Sequence, residues 1–304
     1  MAIVAIRSAD KLQNRNNILN TYTDRLLKLV IMSDIHLLPK GKVKRGLDTA
    51  PRFMAAIETV NTLHNDADLC IFAGDLTEQS DVGAYALFDE IRAGSDLPQR
   101  VMLGNHDDRN VYLEHAENPM LDENRFVQGY DDIKGHRILM LDTSEPGVLR
   151  SGLCEKRLAW VADRLAEAKA LGLKVIIVLH HNPCALQMPV DTYRLADPEK
   201  LLKVLRDSGA DIIQILAGHC HITSAGSWGG YPCATIAGNQ HRVEPFLRGR
   251  TGQQACYTSP AQYAVIMSDG VNCAVHFQNY VDDSPIMDPK LFPRKMDPKF
   301  EILD

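Results

Sequence analysis

Five short apolar runs recur along the chain, each bounded by glycine or polar residues, which is typical of strands buried on both faces. They are LLKLVIMS (26–33), ADLCIFAG (67–74), QRVMLG (99–104), LKVIIVLH (173–180) and DIIQILAG (211–218). Helical spacing of the apolar residues between these runs predicts helices over 50–65, 81–93, 155–171 and 198–208. The third helix should stop at Gly172, because glycine readily adopts the conformation that ends helices. Helices alternating with buried strands predict a layered α/β fold.

Three further segments combine turn signals with alternating apolar positions, and so predict added antiparallel strands or a second sheet. They are 136–144, 224–238 and 262–280. Residues 1–25 are polar and aperiodic, so we interpret them as a peripheral N-terminal extension. We expect the main domain to span 26–280, with about 222–280 supplying closing strands and loops for ligand or subunit contacts. The tail, 281–304, is expected to pack over the surface or against a neighbouring subunit.

Polar side chains follow every one of the five predicted buried strands. In chain order they are Asp34 and His36, then Asp75, then Asn105, His106, Asp107 and Asp108, then His180 and His181, and finally His219 and His221. The carboxyl ends of strands in an open α/β sheet share one rim, so we expect these groups to converge in space. A single histidine is more often structural than functional. Six of the eleven histidines fall at this rim, however, which indicates a site.

The residue types at the rim indicate a metal centre. Candidate ligands are the oxygens of Asp34, Asp75 and Asn105 and the imidazoles of His36, His180, His219 and His221. This set suits Zn, Mn, Fe or Co, and disfavours a cysteine-based structural zinc or an all-oxygen calcium site. Seven candidates exceed one tetrahedral ion and suit two ions with a bridging carboxylate, the arrangement that promotes phosphoryl transfer. In D-x-H and H-x-H, a spacing of two should place both side chains on one face of an extended strand.

His106 is expected to stand beside the metals without being a ligand. A protonated imidazole there would stabilise a developing oxyanion or protonate a departing alkoxide. The alternative is that His106 only orients its neighbours.

Composition narrows the function further. The net charge of −6 and a pI near 6.0 argue against a nucleic-acid binder, which normally carries a basic stripe. The seven cysteines are scattered and form no CxxC pair, so we expect buried free thiols in a reducing compartment. No run resembles a secretory signal or reaches 18 apolar residues, and we therefore expect a cytoplasmic protein without a membrane span.

The blocks D-x-H, G-D-x-x, G-N-H-D, H-x-P and G-H-x-H, in this order across residues 33–221, resemble the calcineurin-like metallophosphoesterases. The resemblance implies a four-layer α/β fold, a β-sandwich of two mixed sheets flanked by helices. It assigns the first metal to Asp34, His36, Asp75 and His221, and the second to Asp75, Asn105, His180 and His219. It also implies that His106 is catalytic or binds the substrate phosphate, with Asn105 beside it, and that a metal-bridging or terminal hydroxide attacks phosphorus in line.

Within that superfamily, GNHDD followed by a helix, HHNP and AGNQH are similar to class III cyclic nucleotide phosphodiesterases and related glycerophosphodiesterases. In that branch the position matching His241 faces the substrate, although a surface histidine is an equal alternative. Asn182 departs from the usual HHPP, which leaves the metal ligand intact and puts the local substrate loop in question. The residues give no role for His181.

The resemblance implies a metal-dependent phosphoric diester hydrolase that acts on small diesters, including 3′,5′-cyclic AMP. A glycerophosphodiesterase or a broad phosphomonoesterase/diesterase is the alternative. A nuclease is disfavoured by the acidic balance and the lack of a basic patch. A non-catalytic scaffold is disfavoured because no ligand is missing. The unmatched extension and tail lead us to expect a homo-oligomer, a dimer or higher.

Overall fold

The computed structural model describes residues 26–286, so the predicted extension and residues 287–304 of the tail lie outside it. The strands and helices, in chain order, are β1 (Leu27–Met32), α1 (Ala50–Leu63), β2 (Leu69–Ala73), α2 (Val82–Arg92), β3 (Gln99–Met102), α3 (Arg109–His115), β4 (Gly129–Ile133), β5 (His136–Leu141), α4 (Glu155–Ala170), β6 (Lys174–Leu179), α5 (Pro198–Ser208), β7 (Asp211–Ala217), β8 (Ser224–Trp228), β9 (Tyr231–Thr235), β10 (Arg242–Val243), β11 (Cys256–Tyr257), β12 (Ala261–Ser268) and β13 (Cys273–Val281). A short 3₁₀ helix, Pro189–Tyr193, precedes α5.

The larger strands form two mixed sheets. The first has the order β13-β12-β1-β2-β3, in which β1, β2 and β3 are parallel and β12 and β13 are antiparallel additions. The second has the order β4-β5-β6-β7-β9-β8, with a parallel centre and an antiparallel strand at each edge. Strands β10 and β11 form a separate two-stranded ribbon.

Apolar side chains from both sheets meet in a shared core. Ile31 and Ile71 of the first sheet belong to one buried cluster with Val178 and Leu216 of the second. Helices α1 and α2 cover the outer face of the first sheet, and α4 and α5 cover the outer face of the second. The predicted four-layer α/β sandwich, two mixed sheets between helices, is therefore confirmed.

The five buried strands and four helices predicted from apolar spacing are all present, and Gly172 follows α4 with a φ of 67°. Two expectations about the strands were wrong. The strands do not share one sheet, because β1, β2 and β3 belong to the first sheet and β6 and β7 to the second. The polar rim is therefore built where the ends of two packed sheets meet. Strand β3 is also an edge strand with half-buried residues, since β2 is its only neighbour in the sheet as described.

The segments predicted as antiparallel additions behave in two ways. Residues 224–238 and 262–280 form the antiparallel hairpins β8–β9 and β12–β13. Segment 136–144 contains β5, which pairs antiparallel with β4 and parallel with β6 in the second sheet, as the alternative of a second sheet allowed.

The seven cysteines are unpaired in the described part of the chain, as expected. The expectation that all seven are buried was wrong, since Cys154 and Cys256 are exposed. Across residues 26–286, no helix combines the length and the apolar character needed to cross a membrane.

Candidate metal centre

The polar residues after the strands lie in tight loops with left-handed backbone conformation. Asp34, His36, Asp75, His219 and His221 have φ values of 55°, 50°, 52°, 69° and 50°. Positive φ is uncommon for residues with a side chain and is often found at functional sites. The expectation that D-x-H and H-x-H continue an extended strand was therefore wrong. Side chains two residues apart converge because the backbone is left-handed at both positions, not because the strand alternates.

Hydrogen bonds between neighbouring loops hold these strained conformations. The amides of Asp34 and His36 donate to the carbonyls of Gly74 and Asp75 at 3.1 and 2.8 Å. The amide of His219 donates to both carboxylate oxygens of Asp34 at 3.0 Å. The loops after β1, β2 and β7 thus support one another at the end of the sandwich.

Asp34, His36 and His221 form the first group of candidate ligands, with donor atoms within 4.8 Å of one another. His221 Nε2 lies 3.4 Å from Asp34 Oδ1 and 3.3 Å from His36 Nε2. Asp34 and His36 lie in the loop after β1 of the first sheet, and His221 lies in the loop after β7 of the second sheet.

Asp75, His180 and His219 form the second group, again with donor atoms within 4.8 Å. His180 Nε2 lies 3.3 Å from Asp75 Oδ2 and 3.3 Å from Asn105 Oδ1, which brings the predicted amide ligand into the same group. These residues follow β2, β3, β6 and β7, and all but Asn105 are buried.

Asp75 lies between the two groups. Its Oδ2 atom is 3.4 Å from His36 Nε2 in the first group and 3.3 Å from His180 Nε2 in the second. Its Oδ1 atom accepts a hydrogen bond from the His106 amide at 2.9 Å. The carboxylate predicted to bridge two ions is therefore the one that contacts both groups.

Hydrogen bonds on the far side of each ring determine which imidazole nitrogen can accept a cation. His180 Nδ1 donates to the Ala73 carbonyl at 2.9 Å, and His221 Nδ1 donates to the His241 carbonyl at 3.1 Å. His219 Nε2 donates to the Tyr193 carbonyl at 2.9 Å. Because a carbonyl only accepts, the opposite nitrogen of each ring carries a lone pair whenever the ring is neutral.

The Nε2 atoms of His180 and His221 lie 3.3 and 3.4 Å from carboxylate oxygens of Asp75 and Asp34, and His221 Nε2 lies 3.3 Å from His36 Nε2. This is the spacing of ligands that share an ion with bonds of roughly 2.1 Å. Such an arrangement is repulsive unless a positive charge lies between the donors. The donor set therefore fits divalent ions.

The pKa values of the side chains, taken without a bound ion, also indicate that positive charge is favoured at the site. Burial lowers the pKa of His180, but the charge and hydrogen bond of Asp75 and the charge of Asp34 outweigh it and raise the pKa to about 9. Burial likewise opposes ionisation of Asp75, yet His180, His36 and His106 hold its pKa well below the usual value. The pKa of Asp34 is raised, chiefly by burial.

His106 stands beside both groups, on the solvent side. Its Nδ1 donates to the Glu78 carbonyl at 2.9 Å, which leaves Nε2 available, and 31% of its side chain is exposed. The His106 ring packs edge-on against the His36 ring, with centroids 4.6 Å apart. It is thus accessible to a ligand over the candidate metal groups.

Glu78 is a site residue that the sequence analysis missed. Its carboxylate is buried and contacts His36, Lys44 and Gln240. Burial opposes ionisation, but the nearby His36 and Lys44 side chains lower the pKa of Glu78 to about 2. The signal in the sequence was a second carboxylate three residues after Asp75 in GDLTE.

The remaining acids of GNHDD have structural roles. Asp107 is buried and accepts hydrogen bonds from the amides of Leu76 and Gly104, at 3.0 Å each, so it joins the loops after β2 and β3. Burial and the nearby charge of Asp75 raise the pKa of Asp107 to about 6. Asp108 caps α3 by accepting from the Asn110 amide at 2.8 Å.

His181 and Asn182 pack behind the candidate ligands. His181 Nε2 donates to the Leu149 carbonyl at 3.2 Å, so its Nδ1 accepts from the Thr143 hydroxyl at 2.8 Å. Burial and the charge of His180 lower the pKa of His181 to about 3. Asn182 is buried and accepts from the Cys220 thiol at 2.8 Å, which ties HHNP to GHCH. Its departure from HHPP therefore lies inside the wall of the site, not on a substrate-facing surface.

The AGNQH segment braces the first group. The Asn239 side chain donates to the carbonyls of Ile35 and Thr49, and the Gln240 amide donates to the Asp34 carbonyl at 3.1 Å. The His241 ring stacks on His221 with centroids 4.2 Å apart, and its Nδ1 donates to Gln240 Oε1 at 2.8 Å. His241 is half-buried at the edge of the site, with Nε2 free of that bond.

Two glycines permit the close approach of the loops. A Cβ atom on Gly104 would lie 2.1 Å from Asp75 Oδ1 and 2.7 Å from His180 Nε2. A Cβ atom on Gly218 would lie 1.8 Å from Ser33 Oγ and 2.7 Å from Asp34 Oδ2. Any larger residue at either position would displace candidate ligands.

Comparisons with known proteins agree on the kind of site. The family model described as calcineurin-like phosphoesterase matches residues 27–223. A probable cyclic nucleotide phosphodiesterase of Rhodopseudomonas palustris is 31% identical over 86% of this chain and 95% of the relative. A probable glycerophosphodiester phosphodiesterase of Arcobacter nitrofigilis is 30% identical over 72% of this chain and 81% of the relative.

Similarity to solved structures extends to the fold. A dimetal phosphatase from Danio rerio superposes with a TM-score of 0.63 and 12% identity, covering 84% of this chain and 97% of that one. At this level of identity the likeness concerns the fold alone.

Proposed function

The chain belongs to the calcineurin-like phosphoesterase family and is a metal-dependent phosphoric ester hydrolase, and we propose that it hydrolyses small phosphodiesters, among them 3′,5′-cyclic nucleotides such as cyclic AMP. The observation that carries the proposal is the position of Asp75, whose one carboxylate oxygen contacts both groups of candidate ligands. The Rhodopseudomonas relative, similar over nearly its whole length, supports the substrate class.

We assign one ion to Asp34, His36, Asp75 and His221, and a second to Asp75, Asn105, His180 and His219. Two of the three groups of candidate metal ligands in the described residues support this assignment, and the third, His36 with Glu78 and His106, shares His36 with the first. Nitrogen and oxygen donors without thiolate suit Mn, Fe, Zn or Co. When bound, paired ions polarise the phosphate oxygens and lower the pKa of water.

His106 is proposed as the catalytic residue that acts on the phosphate or the leaving group. Its Nδ1 hydrogen is held by the Glu78 carbonyl, so Nε2 is the atom presented to a ligand. In the protonated ring Nε2–H donates to a developing oxyanion or transfers its proton to a departing alkoxide. Asn105 and His241 are proposed to contact substrate at the two sides of the site.

A glycerophosphodiester is the second candidate substrate, supported by the similarity to the Arcobacter protein. A comparison of kcat/KM for cyclic AMP, glycerophosphoethanolamine and bis(p-nitrophenyl) phosphate, with added Mn²⁺, separates the two readings. We expect turnover of cyclic AMP and no turnover by Asp75→Ala prepared in parallel. If cyclic AMP is not hydrolysed with Mn²⁺, Co²⁺ or Zn²⁺, the cyclic nucleotide assignment is wrong.

We also propose a cytoplasmic homo-oligomer. Seven unpaired cysteines in the described part of the chain suit a reducing compartment. Light scattering coupled to size exclusion would test the oligomeric state, and a monomer mass near 33.8 kDa would contradict it.

A further inference from the structure

The four imidazoles of the two ligand groups are oriented in different ways. His180, His219 and His221 each donate to a main-chain carbonyl, at 2.9, 2.9 and 3.1 Å. The fourth, His36, has no main-chain carbonyl as a ring partner among residues 26–286. Its Nδ1 atom lies 3.1 Å from Glu78 Oε2, the acidic oxygen closest to that nitrogen among the ion pairs of the described residues.

The contact between His36 and Glu78 is short but not linear. Judged by angle, His36 Nδ1 has no hydrogen-bond partner within residues 26–286, although it is buried. Glu78 is the carboxylate placed to accept this hydrogen after a small rotation of either side chain. That bond leaves the lone pair on Nε2, the atom that faces Asp34, Asp75 and His221.

Other side chains hold the Glu78 carboxylate in place. It is only 4% exposed, and it accepts from Gln240 Nε2 at 2.6 Å and pairs with the Lys44 ammonium. Lys44 belongs to the loop after β1, and Gln240 to the AGNQH segment. Two loops other than its own therefore hold this carboxylate in place.

The main-chain carbonyl of Glu78 serves a different histidine. It accepts from His106 Nδ1 at 2.9 Å, and this bond does not depend on the side chain at position 78. The Glu78 carboxylate lies farther from His106 Nδ1, at 3.6 Å, so a substitution of this side chain should disturb His36 while the carbonyl continues to orient His106.

We propose that Glu78 is a positioning residue that holds the ring of His36 with Nε2 directed at the first ion. The inference rests on the proposed metal centre. A carboxylate behind a metal-bound imidazole fixes the tautomer and increases the basicity of the ligand, and loss of such a partner typically weakens metal binding by roughly 10- to 100-fold.

Glu78→Gln tests the inference, because it keeps the size of the side chain and removes its charge. Glu58→Gln is the matched control, since Glu58 is an exposed glutamate on α1. Mn²⁺ titrations of the metal-free proteins should show one of the two dissociation constants raised by roughly 10- to 100-fold in Glu78→Gln and the other within about twofold. The control should match the wild type.

Kinetics provide a second readout. Because His106 keeps its carbonyl partner, kcat of Glu78→Gln at saturating Mn²⁺ should return to within a few-fold of wild type, a rescue that a His106 variant would not show. If Glu78→Gln does not fold, Glu78→Asp replaces it, since the shorter acid cannot span the same distance. A purely structural role would instead lower the melting temperature of the metal-free protein and weaken both ions equally.

Unchanged Mn²⁺ affinity in both position-78 variants would overturn the inference. The titration requires no substrate, so this result is separable from a failure of the proposed function. If the wild type hydrolyses no diester but Glu78→Gln loses one ion selectively, the function is wrong and the inference stands.

Discussion

The two halves of the proposed metal centre are built from similar donors but are supported differently. In the second half, His180 and His219 donate to the carbonyls of Ala73 and Tyr193, which are supplied by the backbone whatever the side chains are. In the first half, His221 also uses a carbonyl, but the side chain next to His36 Nδ1 is that of Glu78, which we propose positions it. The loop of Asp34 is braced by the Asn239 side chain.

This difference indicates that the halves should respond unequally to mutation. A half oriented by the backbone should be less sensitive to substitution of the side chains around it, apart from crowding at positions such as Gly104. A half oriented by side chains can be weakened from outside the ligand set, through Glu78, Lys44, Asn239 or Gln240. We expect the first ion to be the more sensitive to substitutions around the site.

The largest effect should come from Asp75, the residue shared by both halves. Asp75→Ala should lose both ions and roughly 10⁴-fold in kcat/KM, because each ion contributes several kcal/mol to the transition state. Asn105→Ala should lose the second ion alone and less activity. Mass spectrometry measures the metal content of each variant, and steady-state kinetics measure its activity. Two ions retained in Asp75→Ala would contradict the bridging role of Asp75.

His106 should separate catalysis from metal binding in either half. His106→Ala is expected to bind both ions normally while kcat falls by roughly 10²- to 10⁴-fold, the usual contribution of a positioned general acid. His115→Ala, which changes a histidine on α3 away from the ligands, is the control. Loss of an ion in the His106 variant would contradict its role as a non-ligand.

His181, which packs behind the ligands of the second half, should make the stability of the protein depend on pH. Its pKa is lowered to about 3 by burial and by His180, so the folded protein keeps it neutral while the unfolded chain takes up a proton below about pH 6.5. The contribution of neutral His181 to the unfolding free energy is thus present above about pH 6.5. It declines as the pH falls and levels off near pH 3.

Between pH 7.5 and 5.5, the metal-free wild type should lose about 1.4 kcal/mol more unfolding free energy than His181→Gln. Urea denaturation of both proteins at the two pH values measures this. Equal losses would show that His181 is not held neutral.

The smallest effect is expected at His241, in the first half. Its carbonyl holds His221, and that bond survives a change of side chain. His241→Ala should therefore keep both ions and raise KM by roughly 2- to 10-fold, the loss of about one hydrogen bond. Titration with Mn²⁺ and steady-state kinetics with cyclic AMP distinguish the effect of His241→Ala from that of Glu78→Gln. Loss of an ion in His241→Ala would show that the side chain of His241, not its carbonyl, supports His221.

Much of the fold could be predicted because it depends on local patterns. The apolar runs and the helical spacing between them identified the strands and helices, and the polar residues after each run identified all seven candidate ligands. The division of β1–β3 and β6–β7 between two sheets could not be read in this way, since a buried strand shows the same pattern in either sheet.

The missed features depend on contacts between distant loops. The left-handed conformations of Asp34 and His221 arise from hydrogen bonds to other loops and leave no periodic pattern in the sequence. Glu78 was overlooked because its partners, His36, Lys44 and Gln240, come from segments up to 162 residues away. An acid close to a ligand in sequence has many possible roles until its neighbours are known.

Anomalous diffraction from crystals of the Mn²⁺-loaded protein tests the central claim most directly. We expect two peaks about 3.5–4 Å apart with the Asp75 carboxylate between them, one ringed by Asp34, His36 and His221 and the other by Asn105, His180 and His219. A single peak, or two peaks that do not share Asp75, would contradict a paired metal centre.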